Sequence, residues 1–239
     1  MKTSNVLLIS LISFVFIAMI GVNVSIKAEL NEIDLDDQFS GYSRHVLKPF
    51  KHIKLAGHPF GSIQIQPGET FEIRKEKTDQ LGQSMILEWR QSGDTLMMTQ
   101  QMQAGAREIP YTPDGYVFRK PHLYIIAPTV SSLSSQGITS RVSHWPSGKF
   151  SIVQIGKALL ISDNRFDEIV IDAAQESYVA IDEKNRLGST TVILRDSSEL
   201  AVEKDVFKNF SLQADSATHV DLPGGLLRRI LDFRADPRF

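Results

Sequence analysis

The sequence predicts an all-β fold, a β-solenoid with coils of about 20–21 residues behind an N-terminal apolar segment. Three observations predict it. First, apolar residues recur at a nearly fixed period. Phe166, Ile169, Ile171, Ala173, Val179 and Ile181 have counterparts one period on, at Leu187, Thr190, Val192, Leu194, Leu200 and Val202. One further period on stand Phe207, Phe210, Leu212, Ala214, Val220 and Leu222. An earlier row, offset by 116, is Phe50, Ile53, Leu55, Gly57, Ile63 and Ile65. Of these 24 positions 22 are apolar, against about 10 expected from a 42% apolar composition. Second, each row alternates in and out like a strand, breaks at a polar corner, and closes on a second short alternation. A coil of that kind buries its apolar side only by stacking on the next. Third, no charged side chain occurs between Lys2 and Lys27.

That last stretch makes residues 1–28 a signal anchor or a signal peptide. Val6 to Val22 is apolar apart from Ser10, Ser13 and Gly21. As a helix it rises about 26 Å, close to a hydrocarbon core of about 30 Å. Ala28 stands where cleavage would leave it, but Ile26 two positions earlier breaks the small-residue pattern. The run also exceeds the usual 7–15-residue signal core, which favours a retained anchor. Lys2 keeps the short N-terminal tail cytoplasmic, so the exported part carries the function. Residues 29–45 read as an acidic linker through Glu29, Glu32, Asp34, Asp36 and Asp37. Asp34-Leu35-Asp36-Asp37 lacks the glycine and distal glutamate of a calcium loop.

Residues 46–225 form the predicted β domain. Phe71 and Ile73, Met85, Leu87 and Trp89, and Leu96 and Met98 alternate as longer strands, with a turn at Ser92-Gly93-Asp94. Residues 100–121, with Gly105, Pro110, Pro113, Gly115 and Pro121, read as a long exposed loop. Leu123, Ile125 and Ala127 give a strand that Pro128 ends. Residues 133–161 add one or two imperfect coils, with Val153, Ile155, Leu159 and Ile161 inward. At the corners Ser177, Ser198 and Thr218 are equivalent and form a hydroxyl column. After Gly224-Gly225, residues 226–239 switch to helical period, with Leu226, Leu227, Ile230 and Leu231 on one face. This helix caps the open end of the stack or docks a partner.

Three stretches resemble a known bacterial family, the auto-transporter adhesin, head GIN domain proteins. Phe50 to Gly68, FKHIKLAGHPFGSIQIQPG, is similar to the family's opening strand pair. Asp94-Thr95-Leu96-Met97-Met98 resembles its next strand, and His122 to Leu133, HLYIIAPTVSSL, the strand and turn before its coils. The resemblance spans roughly residues 46–225. It implies a single right-handed parallel β-helix-like domain, exported and membrane-anchored. The implied location is the bacterial inner membrane, single-pass, with the C-terminal domain in the periplasm or outside the cell, or exported and soluble if the segment is cleaved. It implies no catalytic residues.

The residues themselves offer little chemistry. With 26 basic and 28 acidic residues the net charge is −2, which argues against a nucleic-acid partner. There is no cysteine, which excludes disulfides, thiol catalysis and cysteine-bound metal. The six histidines make no metal spacing, and no nucleophile elbow, P-loop or dinucleotide fingerprint occurs. No cofactor and no metal site are expected. Asp182 and Glu203 are equivalent outward positions, hence a carboxylate pair about 5 Å apart. Tyr111, Tyr116, Phe118, Trp145 and Phe150 cluster where the repeat is interrupted; they either pack loops onto the side of the solenoid or, if exposed, stack on sugars or touch a protein partner. The reading is a non-catalytic, membrane-tethered envelope protein that binds a protein or glycan partner. A structural envelope element ranks second and a carbohydrate-active β-helix enzyme third. Unpaired coil edges add a route to self-association.

Overall fold

In the computed structural model the described residues are 3–31, 37–58, 61–77, 85–103 and 120–234. They fall into two units, one ending at Tyr42 and one starting at Ser43.

The first unit is α1 (Thr3–Asn31) and a short turn. Residues Asn5–Lys27 of α1 have a mean hydropathy of 2.5 and none of that span is buried. The helix is long and apolar enough to be a signal or to cross a membrane. Its polar side chains turn back onto the backbone. Ser10 Oγ donates to Val6 O at 2.9 Å and Asn23 Nδ2 to Met19 O at 2.9 Å. Such bonds satisfy polar groups where water is absent. Of the spacer expected over 29–45, helix takes in residues up to Asn31 and strand begins at Tyr42, while 32–36 lie outside the described residues.

The second unit is all-β with two mixed sheets and a C-terminal helix, α2 (Gly224–Arg234). The nine-stranded sheet runs in the order β1 (Tyr42–Val46), β4 (Glu72–Glu76), β7 (Leu123–Ala127), β3 (Ser62–Pro67), β9 (Thr139–Ser143), β11 (Ala158–Ser162), β13 (Tyr178–Ile181), β15 (Glu199–Val202), β17 (His219–Asp221). The eight-stranded sheet runs β16 (Phe207–Ala214), β14 (Leu187–Leu194), β12 (Glu168–Ala174), β10 (Lys149–Ile155), β8 (Ser132–Gln136), β2 (His52–Gly57), β6 (Thr95–Met102), β5 (Met85–Ser92).

From β8 to β17 consecutive strands alternate between the two sheets, and neighbours within each sheet pair in parallel. Glu168 pairs with Ser189 and Ser189 with Asn209, so one period of the sequence is one step across the sheet. Tyr178 pairs with Glu199 and Glu199 with His219, which repeats that step in the other sheet. Between the sheets lies one apolar core, in which Ile169, Ile171, Ala173, Val179, Ile181, Val192 and Leu200 are fully buried.

The earlier strands depart from the expected uniform stack. β4 runs antiparallel to β7, and β5 antiparallel to β6 across Gly93 and Asp94. The first row is also in register on one sheet only. Ile63 and Ile65 align with Val179 and Ile181 through β9 and β11, as predicted. Ile53 instead aligns with Ile171 through β8 and β10, two positions from its expected partner Ile169. The first corner is therefore longer by two. A slip of two leaves every side chain on its own face, so apolar periodicity cannot detect it.

A phase difference of one position affects β10. Phe150, Ile152 and Gln154 point inward, while Val153 is 36% exposed and Ile155 half-buried, contrary to the expected inward Val153 and Ile155. Gln154 sits at an apolar position because its Nε2 donates to Ile138 O at 3.0 Å and Gly156 O at 2.6 Å. Leu159 and Ile161 are inward as expected.

The hydroxyl column is present. Ser177 Oγ donates to Ala174 O at 2.6 Å, Ser198 Oγ to Arg195 O at 2.6 Å and Thr218 Oγ1 to Asp215 O at 2.8 Å. Each hydroxyl closes its own corner on the carbonyl three positions back. α2 lies at the C-terminal end of this unit. It contributes fully buried Leu226 to the core, while Leu227 stays 46% exposed. Arg229 anchors it, donating to Phe207 O and Asp205 Oδ1 at 3.1 Å each.

Candidate functional site

Asp182 and Glu203 occupy matching places, immediately past β13 and β15. Asp182 N–H donates to Ile161 O and Glu203 N–H to Ile181 O, one step apart along the sheet. Both carboxylates serve the backbone of their corners. Asp182 Oδ1 accepts from Lys184 N at 2.7 Å and Oδ2 from Ser162 Oγ at 2.8 Å. Glu203 Oε2 accepts from Glu183 N at 3.1 Å. An acid–base pair needs oxygens aimed at a substrate, and two of these bonds hold turn amides while the third ties Asp182 to Ser162. Beside them lies an open depression of about 440 Å³, lined by residues that include Glu183, Arg186, Lys204, Asp205 and Lys208. Asp205 there is ion-paired to Arg229 at 3.1 Å.

The aromatic group divides. Tyr111, Tyr116 and Phe118 lie outside the described residues. Trp145, expected as an exposed contact, is 4% exposed and belongs to the core. Its ring centre is 5.9 Å from that of Phe150, which stacks on Phe166 at 5.3 Å. The physical reason is position. Trp145 follows the left-handed residue His144 (φ 65°) and its backbone N–H donates to Asn164 Oδ1, which turns the indole inward. Phe150 is likewise buried.

Two polar features were not singled out from the sequence. Asn164 and Asn185, equivalent positions one period apart, are both buried. Asn164 Nδ2 donates to Val142 O at 2.8 Å, and Asn185 Nδ2 to Ile161 O and Asp182 O at 2.7 Å each. Asn164 N–H donates to Asn185 Oδ1 at 3.0 Å. These amides satisfy corner backbone groups that would otherwise be buried unpaired. Two asparagines spaced by one period are the signal that would have found them.

The second feature is His52. Its Nδ1 lies 2.8 Å from Ser132 Oγ on the paired strand, and its Nε2 lies 3.7 Å from Asp94 Oδ2. The three residue types are those of a nucleophile, a base and an orienting carboxylate. Their setting is wrong for acyl transfer. Ser132 lies in β8, which is paired on both sides, so its backbone N–H is not aimed at a developing oxyanion. The Asp94 side chain is 59% exposed, so water weakens its hold on the ring. The triad is a cross-strand surface contact.

Two titratable groups are shifted. Glu72 is buried, which raises its pKa, but hydrogen bonds from Arg74, Thr70 and Arg44 outweigh burial and hold the carboxyl below its ordinary range. His122 is pushed down to about 4, chiefly by burial, against a backbone bond with Ser62 and with Lys75 nearby adding to the shift. Its Nε2 lies 3.2 Å from Gln100 Oε1. Among the described residues no group of three or more His, Asp or Glu is placed to hold a metal ion.

No family model and no curated protein matches the chain. Among solved structures, one described as a putative cell adhesion protein, from Clostridium sporogenes, is a distant neighbour. It shares 8% identity at a TM-score of 0.26, over 75% of this chain and 97% of that one. A likeness at that level carries no argument about fold or function.

Proposed function

We propose that this chain is a non-catalytic, membrane-tethered envelope protein whose β domain is a β-solenoid offering a surface to a protein or glycan partner. The observation that carries the tether is α1, whose 23-residue apolar span is uncharged inside and wholly exposed. The solenoid reading draws support from the near-constant sequence step that recurs in both sheets. The head GIN domain resemblance is kept as part of this proposal, with the domain on the periplasmic or outer side of a bacterial inner membrane. The non-catalytic reading draws on Asp182 and Glu203, each of which has one oxygen engaged by a turn amide.

Binding is assigned to the segment that carries Tyr111, Tyr116 and Phe118, since Trp145 is withdrawn into the core. The test uses the full chain in lipid nanodiscs, on glycan arrays and against envelope extract, beside a variant lacking residues 104–118. Saturable binding that the deletion abolishes is the expected result. Equal binding by both forms would move the site elsewhere, and no binding by either would favour a structural envelope role. Retention of the chain in membranes after alkaline extraction, with the β domain cut by protease added from outside, checks the tether and its orientation.

A further inference from the structure

We infer that the free edge of β16 joins a second copy of this chain, by antiparallel pairing about a two-fold axis at Ser211. Among the described residues β16 is the last strand of the eight-stranded sheet. Edge strands invite pairing unless charge, proline or a cover blunts them. β5, at the other edge of the same sheet, carries the exposed charges Glu88 and Arg90. β17, which ends the other sheet, is three residues long and carries His219 and Asp221. β16 is eight residues long, and Asn209 to Ala214 holds neither a charge nor a proline. α2 meets β16 at its first residue, through Arg229 and Phe207 O.

The core is incompletely closed at this end. Phe210, Leu212, Val220 and Leu222 are only half-buried, whereas their counterparts Val192 and Leu200 one step back are fully buried.

Two constraints fix the register. The backbone sets the first. Asp215 N–H donates to Leu194 O, and Ser189 N–H and Arg195 N–H point back toward β12. In a parallel ladder alternate residues address opposite neighbours. Asn209, Ser211 and Gln213 therefore turn their backbone groups to β14, and Phe210 and Leu212 turn theirs to the open edge. The side chains set the second, since residues directly opposite must share a face. Placing Ser211 opposite itself meets both. Phe210 then pairs with Leu212 of the other copy through edge backbone bonds, and the two half-buried cores meet. On the outer face Asn209 stands opposite Gln213, amide to amide. Lys208 stands opposite Ala214 and beside Asp215, so the basic end of one strand meets the acidic end of the other. The surface is self-complementary, as an isologous dimer requires.

The chain has no cysteine, so single thiols report positions cleanly. The full chain in detergent micelles would carry Ser211→Cys or, as control, Ser151→Cys, an exposed residue of the inner strand β10. On the axis, at a non-hydrogen-bonded pair, Cα atoms lie about 4.5 Å apart, within disulfide reach. Mild oxidation should convert most Ser211→Cys chains to a covalent dimer and leave the control monomeric. A double variant, Asn209→Lys with Gln213→Lys, sets lysine against lysine at exposed positions. It should weaken the dimer at least tenfold in sedimentation, with an unchanged thermal unfolding midpoint. Cross-linking at 211 no faster than at 151 would overturn the inference. So would a dimer that ignores the double lysine change, because association would then run through α1 or another surface.

Discussion

The strands β12 to β15 and the strands β3 and β7 solve the same packing problem in different ways. Along β12 buried and half-buried residues alternate through all seven positions, and β13 and β15 repeat the pattern. One face meets the core and the other meets water. β7 is buried at every position, and β3 at five of six. Leu123 and Ile125 face the core, yet Tyr124 and Ile126 on the opposite face are 4% and 6% exposed. The buried outer face is also polar. Gln64 and Gln66 lie there, 2.7 Å apart between Nε2 and Oε1. Where one face is wet, the side-chain period of two is written into the sequence. Where both are dry, it is erased, and polar groups must find partners instead of solvent.

The largest expected effect tests how close the backbones come at that end. Gly57 has φ +135°, and a Cβ there would lie 1.9 Å from Gln100 O. Gly57→Ala should destabilise the β domain by about 4 kcal/mol. Gly156, among the regular strands, also has positive φ (+64°), but its Cβ would meet nothing nearer than 3.5 Å. Gly156→Ala should cost about 1 kcal/mol, the conformational term alone. Urea unfolding of both variants checks the contrast, and equal losses would mean that the Gln100 carbonyl yields to the added methyl group.

Outward positions sharpen the same comparison. Ile126→Lys places a charge on a dry face and should cost about 3 kcal/mol or more. Val170→Lys, outward on β12 and half-exposed, should stay within about 0.5 kcal/mol. If both are tolerated, the outer face of β7 is not sealed in solution.

Acidification comes next in size. His122 has its pKa lowered from 6.5 to about 4 and stays neutral when folded. The unfolded chain takes up a proton near 6.5 and the folded chain does not. Stability is therefore complete above pH 6.5 and falls as pH drops toward 4, by about 3 kcal/mol for that difference in pKa. Glu72 acts in a lower window. Its depressed pKa lends stability above 4.5 that is lost as pH falls through the lowered value. Comparing His122→Gln with the parent at pH 7.5 and 5 isolates the histidine. A parent that loses no more than the variant would show that the ring is protonated without unfolding.

These contrasts explain what was legible. The rows from Phe166 to Leu222 could be aligned position by position, because each strand wets one face and each corner keeps nearly the same length. The same logic misplaced Ile53 by two, since the corner after β2 is longer and a slip of two is silent. Gln154 hid the phase of β10, because an inward glutamine reads as outward until its bonds to Ile138 O and Gly156 O are seen. For Trp145 the sequence left packing and contact both open, for a related reason. Aromatic type marks both cores and contact surfaces, and only the turn at His144 decides between them. For Asp182 and Glu203 the sequence does not reveal that a turn amide takes one oxygen of each carboxylate.

The smallest expected effect concerns the corners themselves. Gln175 and Glu176 both have positive φ (57° and 59°), as do Asp196 and Ser197 one step on (54° and 59°). Left-handed residues without glycine cost about 1 kcal/mol each, so something else must hold these turns. The hydroxyl column does. Ser177 Oγ reaches both Ala174 O and Gln154 O, and Ser198 Oγ accepts from Ser177 N at 3.3 Å. Glu176→Gly should therefore raise stability by about 0.5 kcal/mol, part of the strain relieved being returned as glycine's chain entropy. Ser177→Ala should lower it by about 1 kcal/mol, because the part-buried Ala174 carbonyl and the buried Gln154 carbonyl lose a donor. If Glu176→Gly destabilises instead, the glutamate side chain and not its backbone is what this corner uses. Should Ser177→Ala be silent, the column is decoration on turns that the parallel ladders already fix.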